Sequence, residues 1–255
     1  MPNRYFEFRN VSKSFDDLVV LKDVSFFVEQ GETAVIMGRS GVGKSVSLKL
    51  LTGFLAPDEG RIIAAGQDVT GWSEEQFAEI RRRATMVFQS GALFDSLTVA
   101  ENVAFPLTSR GGHLDQDEID RRVAELLEML EVSSFADRLP ADLSTGTKRS
   151  VAIARALADN PDAILYDEPT TMVDPLMAAH ISELIVKLKT TLHKTSVVVT
   201  HDTHLGKKLA DRVIFLHEGR VGFFGTWAEL EASSEPFLRN FLLEDELIPA
   251  LDATV

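Results

Sequence analysis

The sequence predicts an α/β protein with a mainly parallel sheet, an antiparallel β subdomain ahead of it and an inserted α-helical subdomain. Three observations carry this prediction. Short apolar runs alternate with helical patterns in the second half of the chain, the first 30 residues are rich in aromatic and β-branched residues, and residues 74–158 are mostly helical in pattern. Strands separated by helices indicate a parallel sheet, because parallel neighbours need a long crossover between them.

The first elements follow from residue types. "YFEFRNVSKSF" and "VVLKDVSFFVEQ" predict two antiparallel strands, since aromatic and β-branched residues favour extended structure. "TAVIMG" is a continuous apolar run, which is typical of a strand buried on both faces. "RIIAAGQDV" predicts one further strand.

The remaining elements alternate along the chain. Strands are predicted in "ATMVFQ", "AILYDE", "SVVVTH" and "RVIFLHEG", and helices in "DEIDRRVAELLEMLEV" and "DPLMAAHISELIVKLKTTL". We expect one domain at 1–240, with the helical lobe inserted at about 90–158, and a C-terminal tail at 241–255. A helical stripe crosses that boundary and is expected to pack on its own domain, with a dimer clasp as the alternative; its members are Phe237, Leu238, Phe241 and Leu242.

Composition limits the class of protein. A chain of 255 residues with 45% hydrophobic and 25% charged residues can bury a full core. A net charge of −13 disfavours a general nucleic-acid binder, which would carry a basic face. Cysteine is absent, so disulfides and thiolate metal sites are excluded. No signal-peptide pattern opens the chain and no apolar run reaches the roughly 18–20 residues that span a bilayer, so we expect a location on the cytosolic side.

The strongest chemical signal is "GRSGVGKS", which has the spacing of a phosphate-binding loop between a strand and a helix. Its glycines let backbone N–H groups turn toward phosphate oxygens, while Lys44 supplies positive charge and the Ser45 hydroxyl can bind Mg²⁺. A plain glycine-rich turn is the alternative, but all eight positions are in register with the flanking elements. We therefore predict binding of a nucleoside triphosphate by Gly38, Arg39, Ser40, Gly41, Val42, Gly43, Lys44 and Ser45.

Two carboxylates end the apolar strand "AILYDE". Asp167 and Glu168 are expected to face the crevice where α/β proteins bind ligands, because the carboxyl ends of parallel strands line it. Asp167 is predicted to orient Mg²⁺ through water, and Glu168 to align or deprotonate the attacking water. A solvated acidic turn is the alternative for one such carboxylate alone. Its pairing with a phosphate loop favours ATP hydrolysis.

Two more strand ends supply polar side chains. Gln89 ends "TMVFQ" and is predicted to reach Mg²⁺ or the water, and His201 ends "SVVVTH" and is predicted to hold the γ phosphate. A single glutamine or histidine at a strand end is more often an ordinary turn residue. The shared location beside Asp167 and Glu168 favours catalysis for both.

A second anion-seeking segment is "DLSTGTKRSVAIARAL". Ser144, Thr145, Gly146 and Thr147 crowd a predicted helix start, where backbone N–H groups lack partners within the helix and attract anions. A plain N-cap needs only one hydroxyl. Since one phosphate loop suffices for one nucleotide, this second helix start needs an explanation of its own.

The order of the phosphate loop, "VFQ", "LS-x-G", "LYDEP", "D-P" and "VVVTHD" resembles the ATP-binding subunits of ABC transporters over nearly the whole chain. The resemblance implies a RecA-like parallel-sheet core, hydrolysis of ATP with Mg²⁺ and a head-to-tail dimer with a second copy. It also implies that Ser144 and Gly146 contact the γ phosphate held by the other copy, that Asp174 lies at the dimer seam and that Phe15 stacks on adenine. For Phe15, an ordinary core aromatic is the alternative. The signature here reads "LSTGTKR", so Thr145 stands where a glycine is usual.

The stretches "FQSGALFDSLTVAENVAFPL" and "PFLRNFL" are similar to the ATPase subunits of Mla/MCE-type bacterial phospholipid transporters. That similarity implies a peripheral location on the cytoplasmic face of the inner membrane, a membrane permease and an MCE-domain substrate-binding protein as partners. Leu93, Phe94 and Leu97 are then predicted to dock the permease, with burial in the core as the alternative. Import of polar amino acids or other small solutes is the alternative function. A soluble ABC ATPase acting on nucleic acid or ribosomes is the alternative from another class.

Overall fold

An antiparallel sheet opens the fold, as its aromatic and β-branched residues predict. The computed structural model describes residues 3–109 and 114–243. Phe6 pairs with Val28 on one side and with Ala64 on the other, so the first strand is central. The four strands have the order β2-β1-β4-β5, and their bounds are β1 (Arg4–Phe15), β2 (Leu18–Glu29), β4 (Glu59–Ala64) and β5 (Gln67–Asp68).

A six-stranded sheet forms the second layer, and its neighbours are parallel except at one edge. The strands are β3 (Thr33–Met37), β6 (Ala84–Val87), β7 (Ala163–Asp167), β8 (Thr195–Val199), β9 (Arg212–His217) and β10 (Arg220–Gly225), in the order β10-β9-β3-β8-β7-β6. Every residue of β3, β7 and β8 is buried, which explains their continuous apolar sequences. The carboxyl ends of these parallel strands share one edge of the sheet.

Helices flank the parallel sheet and build the inserted lobe. Their bounds are α1 (Lys44–Leu51), α2 (Glu74–Arg83), α3 (Val99–Thr108), α4 (Gln116–Met129), α5 (Thr145–Leu157), α6 (Pro175–Leu192), α7 (Thr203–Leu209) and α8 (Trp227–Ala232). Within the predicted lobe, α3, α4 and α5 pack on one another. Capping boxes at Thr98 and Asp115 satisfy the first N–H groups of α3 and α4, so these starts are closed by their own side chains.

Three features differ from the sequence prediction or extend it. "RIIAAGQDV" is not one strand but the hairpin of β4 and β5, because Ala65 and Gly66 take left-handed backbone angles and turn the chain. Neither β10 nor α8 was predicted. Residues 236–243 are helical across the predicted boundary at 240, with Leu238 and Phe241 buried in the core.

The other two members of the C-terminal stripe, Phe237 and Leu242, pack against the same core. The rest of the predicted tail, 244–255, lies outside the described residues. In the part of the chain that the structure describes, no helix has both the length and the apolar character needed to cross a bilayer.

Candidate active site

The phosphate-loop sequence turns tightly between β3 and α1. Gly38 has a φ of 142°, and a Cβ there would lie 2.4 Å from the carbonyl oxygen of Leu216. Gly43 has a φ of 106°, and its Cβ would lie 2.5 Å from a methyl carbon of Leu21. Both positions therefore require glycine. Gly43 is the N-cap of α1 and, as a glycine, has no side chain to cap this helix start.

Lys44 is buried and directed back over the loop. Its ammonium donates hydrogen bonds to the carbonyl oxygens of Gly38 at 2.9 Å and Arg39 at 3.2 Å. It also lies 3.5 Å from Oε1 of Glu168. A positive charge is thus held between the loop and the end of β7, where an incoming phosphate would meet it.

The two carboxylates at the end of β7 have different partners. Asp167 accepts a hydrogen bond of 2.6 Å from the hydroxyl of Ser45. Glu168 Oε2 accepts one of 3.0 Å from the hydroxyl of Thr171 and lies 2.9 Å from Nδ1 of His201. Glu168 also has a φ of 47°, a backbone angle that non-glycine residues rarely adopt and that is often found at functional sites.

The surroundings shift the two pKa values in opposite directions. Burial raises the pKa of Asp167, the charge of Glu168 adds to this, and the hydrogen bond from Ser45 opposes it. Burial also acts to raise the pKa of Glu168, but the hydrogen bond from His201 and the charges of His201 and Lys44 outweigh it, so this pKa is lowered. Glu168 therefore stays ionised at neutral pH and can accept a hydrogen bond from water.

One cavity of about 380 Å³ brings half of the predicted site residues together. Its walls include the phosphate loop, the ends of three parallel strands and one residue of β2. The lining residues are Val20, Ser40, Gly41, Gly43, Lys44, Ser45, Val46, Gln89, Glu168, Thr171 and His201. The arrangement can hold phosphate groups against Lys44 and a water molecule against Glu168.

The residues around Ser45 fit Mg²⁺. Among the described residues, no group of three or more acidic, histidine or cysteine side chains could hold a metal alone. The hydroxyl of Ser45, the carboxylate of Asp167 beside it and the amide of Gln89 on the same cavity wall are oxygen donors, which Mg²⁺ prefers together with water and phosphate oxygens. Ser45 and Gln89 would hold the ion directly and Asp167 through water.

Some predicted residues lie elsewhere. Arg39 and Val42 face a neighbouring cavity of about 640 Å³, which Ser40 and Gly41 also line. Phe15 is 40% exposed with the ammonium of Lys13 over its ring at 5.6 Å, and it lines neither cavity. It is therefore not a core aromatic. Its stacking on adenine stays a prediction.

The second anion-seeking segment forms a separate group at the start of α5. The hydroxyl of Ser144 caps this helix by accepting a hydrogen bond of 3.1 Å from the amide of Thr147. Gly146 is buried with ordinary backbone angles, and a Cβ there would lie 2.5 Å from Cε and 3.0 Å from Cβ of Met177. Asp174 caps α6 through the amide of the same Met177 at 3.0 Å. Ser144, Gly146 and Asp174 are absent from the walls of the 380 Å³ cavity.

Sequence reasoning missed two residues of the site. Thr171 follows Glu168 in a turn and holds its carboxylate, and Arg149 in α5 is buried behind the site. Thr171 is a small polar residue near a known motif, which is a weak signal. Arg149 lies five residues after Ser144 in a helix with further basic residues, where an arginine is usually solvated.

Comparisons with known proteins show to which family the chain is similar. The family model described as ABC transporter matches residues 21–171. The methionine import ATP-binding protein MetN 2 of Pseudomonas entomophila is 38% identical over 247 residues, covering 95% of this chain and 73% of that protein. The intermembrane phospholipid transport system ATP-binding protein MlaF of Haemophilus influenzae is 36% identical over 242 residues, covering 95% and 91%.

A solved structure is also similar. It is the dimeric structure of a post-hydrolysis state of the ATP-binding cassette MJ0796 bound to ADP and Pi. It superposes with a TM-score of 0.79 at 35% identity, covering 87% of this chain and 98% of that one.

Proposed function

The chain belongs to the ABC transporter family as an ATP-hydrolysing subunit, and from that premise we propose that it powers phospholipid transport between bacterial membranes. Membership of this family establishes ATP binding, ATP hydrolysis and a link to a membrane transporter. The phospholipid cargo, the roles of individual residues and the particular partners are proposals. We treat the predicted domain 1–240, together with residues 241–243 of the helix that packs on it, as the ATP-binding domain, with the helical lobe inserted at about 90–158.

The proposed chemistry uses the two sides of the 380 Å³ cavity. The phosphate loop and Lys44 bind the β and γ phosphates, and Ser45 and Gln89 would hold Mg²⁺, which would neutralise charge on the phosphates. Glu168 accepts a hydrogen bond from the attacking water and aims it at the γ phosphate, and Thr171 and His201 hold that carboxylate in place. His201 also lines this cavity, and we propose that it contacts the γ phosphate.

Glu168→Gln tests this chemistry. The amide keeps the size of the side chain but cannot take a proton from water, so turnover should fall by at least about 10²-fold while ATP binding is retained. The measurements are phosphate release and fluorescence titration with an ATP analogue. Turnover at the rate of the unsubstituted protein would remove Glu168 from the mechanism.

An exposed aromatic cluster supports docking of a membrane permease. Phe94 is 42% exposed and its ring packs 4.4 Å from that of Phe105, beside a groove of about 180 Å³ lined in part by Phe54, Phe88 and Pro106. Apolar side chains exposed around a groove mark an interaction site. Leu93 packs against the core instead, and Leu97 is half-buried. Because Phe88 precedes Gln89, a helix of the permease seated here would act on the catalytic cavity.

The observation that carries the phospholipid proposal is the similarity of "FQSGALFDSLTVAENVAFPL", which forms this docking surface, to the ATPases of phospholipid transporters. The 36% identity to MlaF over 91% of that protein supports it. We infer the same partners: an integral permease, an MCE-domain protein and a second copy of the chain in a head-to-tail dimer. The dimeric relative MJ0796 supports the second copy. The location would be peripheral, on the cytoplasmic face of the bacterial inner membrane.

Small-solute import is the second candidate, because the methionine importer relative is 38% identical to this chain. The two are separated by purifying the complex that this chain forms with its permease and reconstituting it in vesicles. We expect ATP-dependent transfer of a fluorescent phospholipid and no ATP-dependent uptake of radiolabelled methionine. Uptake of methionine without lipid transfer would reverse the assignment. A chain that captures RNA or DNA instead of a permease would belong to the soluble class of ABC ATPases.

A further inference from the structure

Arg149 is a buried cation behind the active site. Its side chain is in α5, five residues after Ser144, and the residue is 3% exposed. The guanidinium donates hydrogen bonds to the carbonyl oxygens of Phe88 at 2.9 Å and Thr171 at 3.3 Å. Its buried Nε has no hydrogen-bond partner among the described residues.

Both of these carbonyl groups belong to segments that position proposed catalytic residues. Phe88 is joined directly to Gln89, and the hydroxyl of Thr171 donates to Glu168 at 3.0 Å. One guanidinium therefore fixes the segments on two sides of the cavity. Arginine is suited to this because its planar fork carries several donors in fixed directions.

Stability alone does not account for a charge at this position. Burial lowers the pKa of Arg149, and the nearby negative charge of Asp167 opposes this only in part. A buried cation that donates to neutral carbonyls and leaves one N–H unpaired costs free energy that an apolar side chain would not.

We propose that Arg149 is a positioning residue that couples the start of α5 to Glu168 and Gln89 of the same chain. Ser144 and Arg149 lie about 7–8 Å apart along one helix, at 1.5 Å per residue. A contact at Ser144 displaces α5 as a rigid body, and Arg149 transmits that displacement to the two segments it holds. This inference rests on the proposed roles of Glu168 and Gln89.

Arg155 provides a matched control in the same helix. It donates to the carbonyl oxygens of Ala92 at 2.8 Å and Gly91 at 3.1 Å, and burial lowers its pKa as well. Arg155 thus makes two hydrogen bonds to Gly91 and Ala92, which follow Gln89 in the loop that Arg149 contacts through Phe88. Neither bond reaches Thr171, so its loss leaves the support of Glu168 in place.

The test compares Arg149→Met with Arg155→Met in the full chain. Each variant removes a buried cation and its two hydrogen bonds to carbonyl groups, so the melting temperatures of both are measured to show that their effects on folding are comparable. We expect kcat to fall on the order of tenfold for Arg149→Met alone, with KM for ATP within about twofold of the parent value. Arg149→Lys, which keeps the charge and can reach one carbonyl, should lie between. If either methionine variant fails to fold, the same comparison is made with Arg149→Lys and Arg155→Lys.

An equal fall of kcat in both arginine variants would reduce Arg149 to a structural role and overturn the proposal. An unchanged kcat in Arg149→Met would overturn it as well. Glu168→Gln is measured in parallel: if it stays active, the proposed catalytic roles fail. If it is inactive while Arg149→Met is normal, only the coupling through Arg149 fails.

Discussion

The starts of α1 and α5 are both predicted anion sites, yet they are built differently. α1 begins after Gly43, which has a left-handed backbone and leaves the first turn without a side-chain cap. α5 begins after Ser144, whose hydroxyl already accepts the amide of Thr147. The uncapped start lies in the cavity with Glu168 and His201, and the capped start lies away from it.

This difference indicates that the two helix starts have different functions. A helix start without a cap offers its N–H groups to a ligand held in its own chain. A start whose own serine accepts one of its N–H groups has a partner for that group in the single copy, and its remaining N–H groups can meet an anion held by a second copy. We therefore expect α1 to bind the nucleotide of its own chain and α5 to complete the site of a second copy.

Ser144→Arg should have the largest effect on turnover. A bulky cation at this position fills the place where the phosphate of the other copy would lie, while the chain's own phosphate loop is untouched. Removal of a positioned donor to a developing anion costs on the order of 10²–10³ in rate, so turnover should fall at least that far. Nucleotide affinity of the single copy, measured by fluorescence, should be unchanged. Lost affinity would place Ser144 in its own chain's site.

Lys44→Ala should lower the nucleotide affinity of the single copy, which Ser144→Arg leaves unchanged. The ammonium between the loop and Glu168 is removed, and a charge-assisted hydrogen bond of about 1.5–3 kcal/mol to phosphate is lost with it. Nucleotide affinity should fall roughly 10- to 100-fold, as measured by the same titration. Affinity equal to that of the parent would contradict the role of Lys44.

Gly146→Ala tests whether the glycine near the start of α5 is needed for packing. Its new Cβ would overlap the side chain of Met177, and such overpacking costs about 1–3 kcal/mol. Met177→Ala removes Cε and Cγ, which would lie 2.5 and 3.1 Å from the new Cβ, and leaves only the Cβ of residue 177 at 3.0 Å. The double variant Gly146→Ala/Met177→Ala should therefore regain stability in a denaturation cycle. No recovery would show that Met177 is not the obstacle.

Ser144→Ala should have the smallest effect on stability. Loss of the N-cap hydrogen bond destabilises the protein by about 1 kcal/mol, measured by urea unfolding. Ser144→Gly should destabilise the protein by only a few tenths of a kcal/mol. If Ser144→Ala unfolds at the same urea concentration as the parent, the cap contributes nothing to the single copy.

Much of the parallel sheet followed from the sequence because its strands are buried on both faces and read as continuous apolar runs. The grouping of Gln89, Glu168 and His201 in one cavity could be predicted from the sequence, because the carboxyl ends of parallel strands meet at one edge of the sheet. β10 was not predicted, since "RVGFFG" contains two glycines and its burial alternates only weakly. The turn within "RIIAAGQDV" was missed because Ala65 adopts a left-handed angle that alanine rarely takes.

The site beyond its motifs was harder to predict. The contacts of Arg149 join residues that are 61 and 22 positions away in the chain, and no local pattern encodes them. Serine is a common N-cap residue, so the cap at Ser144 fits its residue type, but the steric reason for Gly146 depends on Met177 in another helix.

The central claim, that the two helix starts serve different copies, is tested most directly by mixing variants. Lys44→Ala copies retain the start of α5 and Ser144→Arg copies retain the phosphate loop, so each pair of unlike copies contains one complete site. We predict that neither variant hydrolyses ATP alone and that the mixture does, whereas Lys44→Ala mixed with the double variant Lys44→Ala/Ser144→Arg stays inactive. If the mixture of the two single variants is as inactive as each variant alone, the claim that the two helix starts serve different copies is contradicted.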